Sequence, residues 1–211
     1  MSQQETSLRD RILDMALELA EASSWEQLRL HAVAAALQIG LDEILIHYPQ
    51  KDDLAEAWFD RADRAMLVAE HGGPDFPNRP PQERLQQVIC DWLDALAAHR
   101  RLTRGMLAYK LEPGHVHLQA LGILRISRTV QWFREAARQE STGFQRILDE
   151  SALTAIYLAG FGRWLFDDSR DGRESKAFLA AGLRRWFRCC HIERGQSAAP
   201  EPIVAPEQSG N

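Results

Sequence analysis

The chain is poor in the features that mark several large classes of protein. It has three cysteines in 211 residues, Cys90, Cys189 and Cys190. An odd count with an adjacent pair is not a disulfide framework, which points to a reducing compartment. No run of about 18 apolar residues occurs, so no membrane span is expected. The N-terminal MSQQETSLRDRIL is polar and charged, with no apolar signal region, and the expected location is the cytoplasm. No segment alternates polar and apolar residues with the period of two that a half-buried strand requires. There is no CxxC, HExxH, GxSxG or glycine-rich phosphate loop, and the acids are spread along the chain rather than paired for acid–base work. No enzyme, cofactor or resident metal is expected. The two spacings a metal could use, His115-Val116-His117 and Cys189-Cys190-His191, read as a solvated loop and as neighbours that diverge around a helix. Bases are also in deficit: 25 Lys and Arg against 30 Asp and Glu give a net charge of −5.

What is present is helix-forming sequence with 45 % hydrophobic residues, enough for a real core. Apolar positions recur at three and four throughout, which predicts an all-α protein of about nine helices. Ser7 caps the first helix, whose stripe is Leu8, Ile12, Met15, Ala16 and Leu19. Ser23 and Ser24 end it, and Trp25 reads as a core anchor. Helices follow at about 30–37, 41–47 and 51–70, with Pro49 ending the third. After the Gly/Pro loop HGGPDFPNRPP (71–81), further helices are expected at about 82–98, 102–110, 116–139, 143–166 and 173–192. The tail from Gly195 is rich in Pro, Ser, Ala and Gly and is expected to be disordered.

The stretch from Leu28 to Leu54, LRLHAVAAALQIGLDEILIHYPQKDDL, has two short helices about a tight turn, the layout of a helix-turn-helix. With RILDMALELAEASSW before it and the HYPQKDDL closure after it, the first 60 residues resemble the tetracycline-repressor (TetR) family of bacterial transcriptional regulators. The resemblance implies three units: a DNA-binding domain (1–50), a helical domain for ligand binding and dimerisation (51–194), and a tail (195–211). It implies a homodimeric repressor binding double-stranded operator DNA and released by a small apolar effector. The DNA-binding candidates are Arg29, His31, Gln38, Gly40, Leu41, Asp42, Glu43, His47, Tyr48 and Lys51.

This segment departs from the family pattern where it would touch DNA. Arg29 stands at the N-cap of the second helix in place of Ser or Thr, and Gln38, Ile39 and Gly40 fill the turn. Asp42, Glu43, Ile44 and Leu45 open the recognition helix where a small residue, a hydroxyl and a Leu–Tyr pair are usual. Residues 1–60 hold twelve Asp or Glu against four Lys or Arg, a net of −8, which leaves +3 for the remainder. Carboxylates at a helix N-terminus suit its dipole but repel phosphates, whose neutralisation dominates DNA affinity. Asp42 and Glu43 are as readily read as caps for the third helix.

In the C-terminal part, the resemblance implies a ligand pocket between central helices, with Trp92, Leu96, Met106, Tyr109, Leu121, Leu124 and Trp132 as candidates. Residue types alone read more readily as plain core, and Arg125 and Arg128 either as polar anchors of such a pocket or, more readily, as a solvated face. The last two helices carry Ile156, Gly160, Phe161, Trp164, Phe178, Leu183 and Trp186, the candidate dimer interface. Gly160 and Gly162 mid-helix imply close backbone approach, either within the chain or across a dimer. A second reading keeps the scaffold but gives up DNA: WFDRADRAM (58–66) is similar to a segment of the lipid-binding accessory proteins of ubiquinone biosynthesis, which implies a lipid- or quinone-binding role.

Overall fold

The computed structural model describes residues 7–71, 73–110 and 116–197, and their side chains except at 116–121 and 191–197. Nine α-helices and no strand occur among the described residues. The first is α1 (Leu8–Ala22). The Ser7 hydroxyl accepts the Asp10 N–H at 3.2 Å and donates to the Asp10 carboxylate at 2.6 Å, which closes the helix start. Its buried face is Ile12, Leu13, Ala16, Leu17 and Ala20, while Leu8, Met15 and Leu19 lie at its margin. The stripe is thus rotated by about one residue from the one read off the sequence. Ser23 and Ser24 make local hydrogen bonds to Leu19 and Gln27, ending the helix, and Trp25 is buried as expected.

The helices α2 (Leu30–Leu37), α3 (Leu41–His47) and α4 (Lys51–Val68) follow. A 3₁₀ turn at Phe76–Asn78 leads into α5 (Pro81–Leu96). Then come α6 (Arg100–Lys110), α7 (Val116–Ala136), α8 (Gly143–Trp164) and α9 (Arg173–Ser197). Gly195 does not end α9, which runs on through Ser197. The rest of the expected disordered tail lies outside the described residues.

Helix α4 is the hub. It packs on α1 behind the helix-turn-helix and on α5 and α7 in the bundle. Its buried residues include Leu54, Trp58, Phe59, Ala62 and Met66. The Trp58 indole donates to the Thr103 hydroxyl at 2.9 Å, tying α4 to α6. One apolar core runs without a break from α1 to α9. Its densest part is aromatic. Trp92 has the rings of Phe59, Phe133, Tyr157 and Phe161 around it, with centroids 6.2, 5.9, 5.6 and 5.2 Å away.

The two mid-helix glycines of α8 separate cleanly. A Cβ on Gly160 would stand 2.1 Å from Leu179 Cδ2, and Leu179 is fully buried, so this close approach is to α9 of the same chain. A Cβ on Gly162 would meet nothing within 4 Å. Gly160→Ala should therefore cost about 2 kcal/mol, as overpacked cores do. Gly162→Ala should raise stability by up to about 1 kcal/mol through helix propensity. Urea unfolding of both variants would check the contrast, and equal effects would contradict this packing.

Candidate DNA-contact surface and effector cavity

The axis of α3 is turned 111° from that of α2, within the range of a helix-turn-helix. The turn is made by Gln38, which holds φ 58° and ψ 41° and closes α2 by donating its N–H to the Ala34 and Ala35 carbonyls. A non-glycine residue in this left-handed region carries strain, so Gln38→Gly should stabilise the fold by about 0.5–1 kcal/mol. Thermal denaturation would show the rise, and a loss of stability would mean that the glutamine side chain is itself holding the turn.

Gly40 starts α3, and the Glu43 carboxylate accepts its N–H at 3.0 Å. Asp42 folds back over the Gly40 Cα, where an added Cβ would lie 2.0 Å from Oδ1. Glu43 is thus a cap, the bland one of its two readings. The outer face of the segment carries Arg29, His31, Gln38, Leu41 and Asp42, all exposed, with Gly40, Glu43 and His47 half-buried. Leu45 and Ile46 also stand on it, 60 % and 76 % exposed. Ile46 was not singled out from the sequence, because periodicity alone does not separate it from the buried Ile44.

Two expected DNA contacts are engaged in the fold instead. Tyr48 is 1 % exposed; its hydroxyl donates to the Arg9 carbonyl at 3.0 Å, and the Arg9 guanidinium lies over its ring. Its side chain is a strut between α1 and α3 rather than a contact residue. Lys51 donates to the Glu26 carbonyl at 3.2 Å and sits over the rings of Trp25 and Tyr109, 5.2 and 5.4 Å from their centroids. Burial, aided by nearby Arg29, lowers the pKa of its ammonium. Arg29 donates to the carbonyls of Glu26 and Leu28.

The acid count of residues 1–60 also overstates the negative field of the surface. Arg61 pairs with Asp10 and Asp14, and His99 hydrogen-bonds Glu21. Lys110 pairs with Asp52 and Glu56. Arg125 pairs with Glu56, Asp60 and Asp63, and Arg128 with Asp60. The positive surplus of the later segment is spent on these acids.

Beneath the acidic face of α4 lies a cavity of about 550 Å³, walled by α4 to α8. Phe59, Trp92, Ile126 and Phe161 supply apolar wall; Glu56, Lys110, Arg125, Thr129 and Tyr157 supply the polar groups. Asp63, just behind the wall, accepts from the Trp92 indole at 2.8 Å and from Arg125 at 3.0 Å. Burial raises its pKa, against the opposing pull of Arg125.

Of the expected pocket residues, the cavity includes Trp92. Leu96 and Met106 are wholly buried in core elsewhere, and Tyr109 packs beside Lys51. Leu124 and Trp132, 67 % and 43 % exposed, lie on the outer face of α7. The side chain of Leu121 is outside the described residues. Sequence reading missed Phe59 and Tyr157; Arg125, weighed there as a polar anchor, does line the cavity. One signal was available: Glu56, Asp60 and Asp63 fall at i, i+4 and i+7 on one face of α4, among residues it buries, so they need cations from a neighbour.

The expected dimer residues divide the same way. Gly160, Phe161, Trp164 and Leu183 are buried within the protomer, and Ile156 packs against Gly182 of α9. Trp186 is half-buried and donates to Asp149 at 3.1 Å. Phe178 remains outside, 44 % exposed. No single helix among the described residues is long and apolar enough to cross a membrane, and no cluster among them could hold a metal ion.

No protein-family model matches this chain, and no curated protein does. Solved structures do. A TetR transcriptional regulator from Rhodococcus sp. RHA1 shares the fold at 20 % identity, with a TM-score of 0.62 over 82 % of this chain and 92 % of that one. The TetR transcriptional regulator from Nitrosomonas europaea ATCC 19718 is 44 % identical, with a TM-score of 0.74 over 84 % of this chain and 97 % of that one. With that identity over nearly the whole of a relative, and a helix-turn-helix at its N-terminus, the chain belongs to the TetR family of transcriptional regulators.

Proposed function

We propose that this regulator is an effector-controlled dimer, a repressor that binds operator DNA through residues 1–50 and senses a small apolar molecule through 51–194. The observation that carries the reading is the position of the cavity. It lies directly against α4, which starts at Lys51, four residues after α3 ends at His47. A ligand that displaces the α4 wall therefore bears on the helix-turn-helix through one rigid element. The exposed apolar residues Phe144, Ile147 and Leu158 on α8 and Phe178 on α9 favour a self-association face there. A gel shift at low salt against the DNA upstream of the chain's own coding sequence tests the reading. A retarded complex with that duplex and none with an unrelated one is expected; equal behaviour of the two would count against it.

The second reading, a lipid- or quinone-binding protein without DNA, is favoured by one observation. The outer face of α3 shows Leu41, Leu45 and Ile46 beside Asp42, while Lys51 is held inward. Native mass spectrometry would show a co-purifying lipid if this reading holds, and ligand-free protein that binds the operator would end it.

A further inference from the structure

The chemistry of the cavity wall narrows what it accepts. This step rests on the reading of the cavity as the effector site. Its two cations already face acids. Lys110 holds Asp52 at 3.0 Å and also Glu56; Arg125 holds Glu56 at 3.2 Å, Asp60 at 2.5 Å and Asp63 at 3.0 Å. Both cations have side chains less than a tenth exposed. Asp52, Glu56, Asp60 and Asp63 outnumber Lys110, Arg125 and Arg128, so a ligand carboxylate would meet a wall of net negative charge.

One donor on the wall is uncommitted. The Tyr157 phenol lines the cavity and makes no hydrogen bond with a described residue; burial raises its pKa well above the ordinary phenol value, so it stays a neutral hydroxyl. A buried donor without an acceptor is costly, and a carbonyl-type oxygen would satisfy it. The remaining wall is aromatic and aliphatic. We propose that the cavity takes an uncharged, largely apolar molecule bearing a carbonyl-type oxygen, in preference to a carboxylic acid.

Calorimetric titration of the full chain with three probes of one shape tests this. They are benzophenone, diphenylmethane, which lacks the oxygen, and 4-benzoylbenzoate, which adds a carboxylate. Benzophenone should bind at least tenfold more tightly than either of the others. Tyr157→Phe should weaken benzophenone about fivefold and leave diphenylmethane unchanged, a shift in ratio that a purely structural role for Tyr157 would not give. Equal binding of ketone and hydrocarbon, preference for the carboxylate, or an unchanged ratio in Tyr157→Phe would each overturn the inference while leaving the effector site intact. Failure of all three probes to bind the wild type would instead overturn the effector site itself, and the inference with it.

Discussion

Trp92→Ala should remove about 4 kcal/mol of stability, in the range found when a buried aromatic is cut to alanine. Trp92 is 1 % exposed and has four aromatic rings around it. Its truncation would open a void that those rings, anchored on three different helices, cannot all fill. It would also remove the 2.8 Å hydrogen bond to Asp63, a carboxyl already disfavoured by burial. With about 2–4 °C of melting temperature per kcal/mol for a chain of this size, the loss should be about 8–16 °C. Trp92→Phe, which keeps a ring but loses the N–H, should fall in between. Leu124→Ala on the outer face of α7 should change stability by less than about 0.5 kcal/mol. Differential scanning calorimetry of the three variants would check the order. A Trp92→Ala change no larger than that of Leu124→Ala would mean that the aromatic cluster is not packed as described.

Arg125→Met should cost about 3 kcal/mol, near the lower end for breaking a buried ion pair because Glu56 and Asp60 keep about a third of their side-chain surface in water. The methionine fills much of the same volume, so the loss is electrostatic: three carboxylates on α4 lose their shared cation. Asp63 has the smallest exposure and should suffer most. Without Arg125 its folded pKa should rise further above the unfolded value. An acid whose pKa is raised by folding gives a native state that binds more protons, so stability grows as pH falls. The deficit of Arg125→Met should shrink between pH 7 and pH 5, and adding Asp63→Asn should recover part of it at pH 7. Urea midpoints at the two pH values measure both effects. A deficit independent of pH would show that the network is not what holds α7 on α4.

Much of the fold was legible in the sequence. Ser7, Pro49, the Gly/Pro loop before Pro81 and the HYPQKDDL closure each mark a helix end through local chemistry, and the helices start or stop within a few residues of them. The site was less legible because it depends on which face each helix turns inward. Leu124 and Arg125 are adjacent, one outside and one at the cavity, and only the acids of α4 decide between them. Gly160 and Gly162 look alike in sequence; Leu179 distinguishes them from across the helix pair. Tyr48 belongs to a motif associated with DNA, yet its hydroxyl is satisfied inside the fold by Arg9. Charge summed over residues 1–60 likewise took no notice of Lys110 and Arg125, which neutralise that segment from more than fifty residues away.

Whether the acidic helix-turn-helix still reads sequence is best decided by competition anisotropy. A labelled duplex from the chain's own upstream DNA would be challenged by unlabelled copies of itself and by a shuffled duplex, at several salt concentrations. With Lys51 and Arg29 held by backbone carbonyls, phosphate attraction should be weak, so binding to the shuffled duplex should be poor and its salt dependence shallow. The expected ratio favours the upstream duplex by at least about a hundredfold, below the usual span of specific recognition but unmistakable. A ratio near one at every salt concentration would contradict the assignment of this protein as an operator-binding regulator.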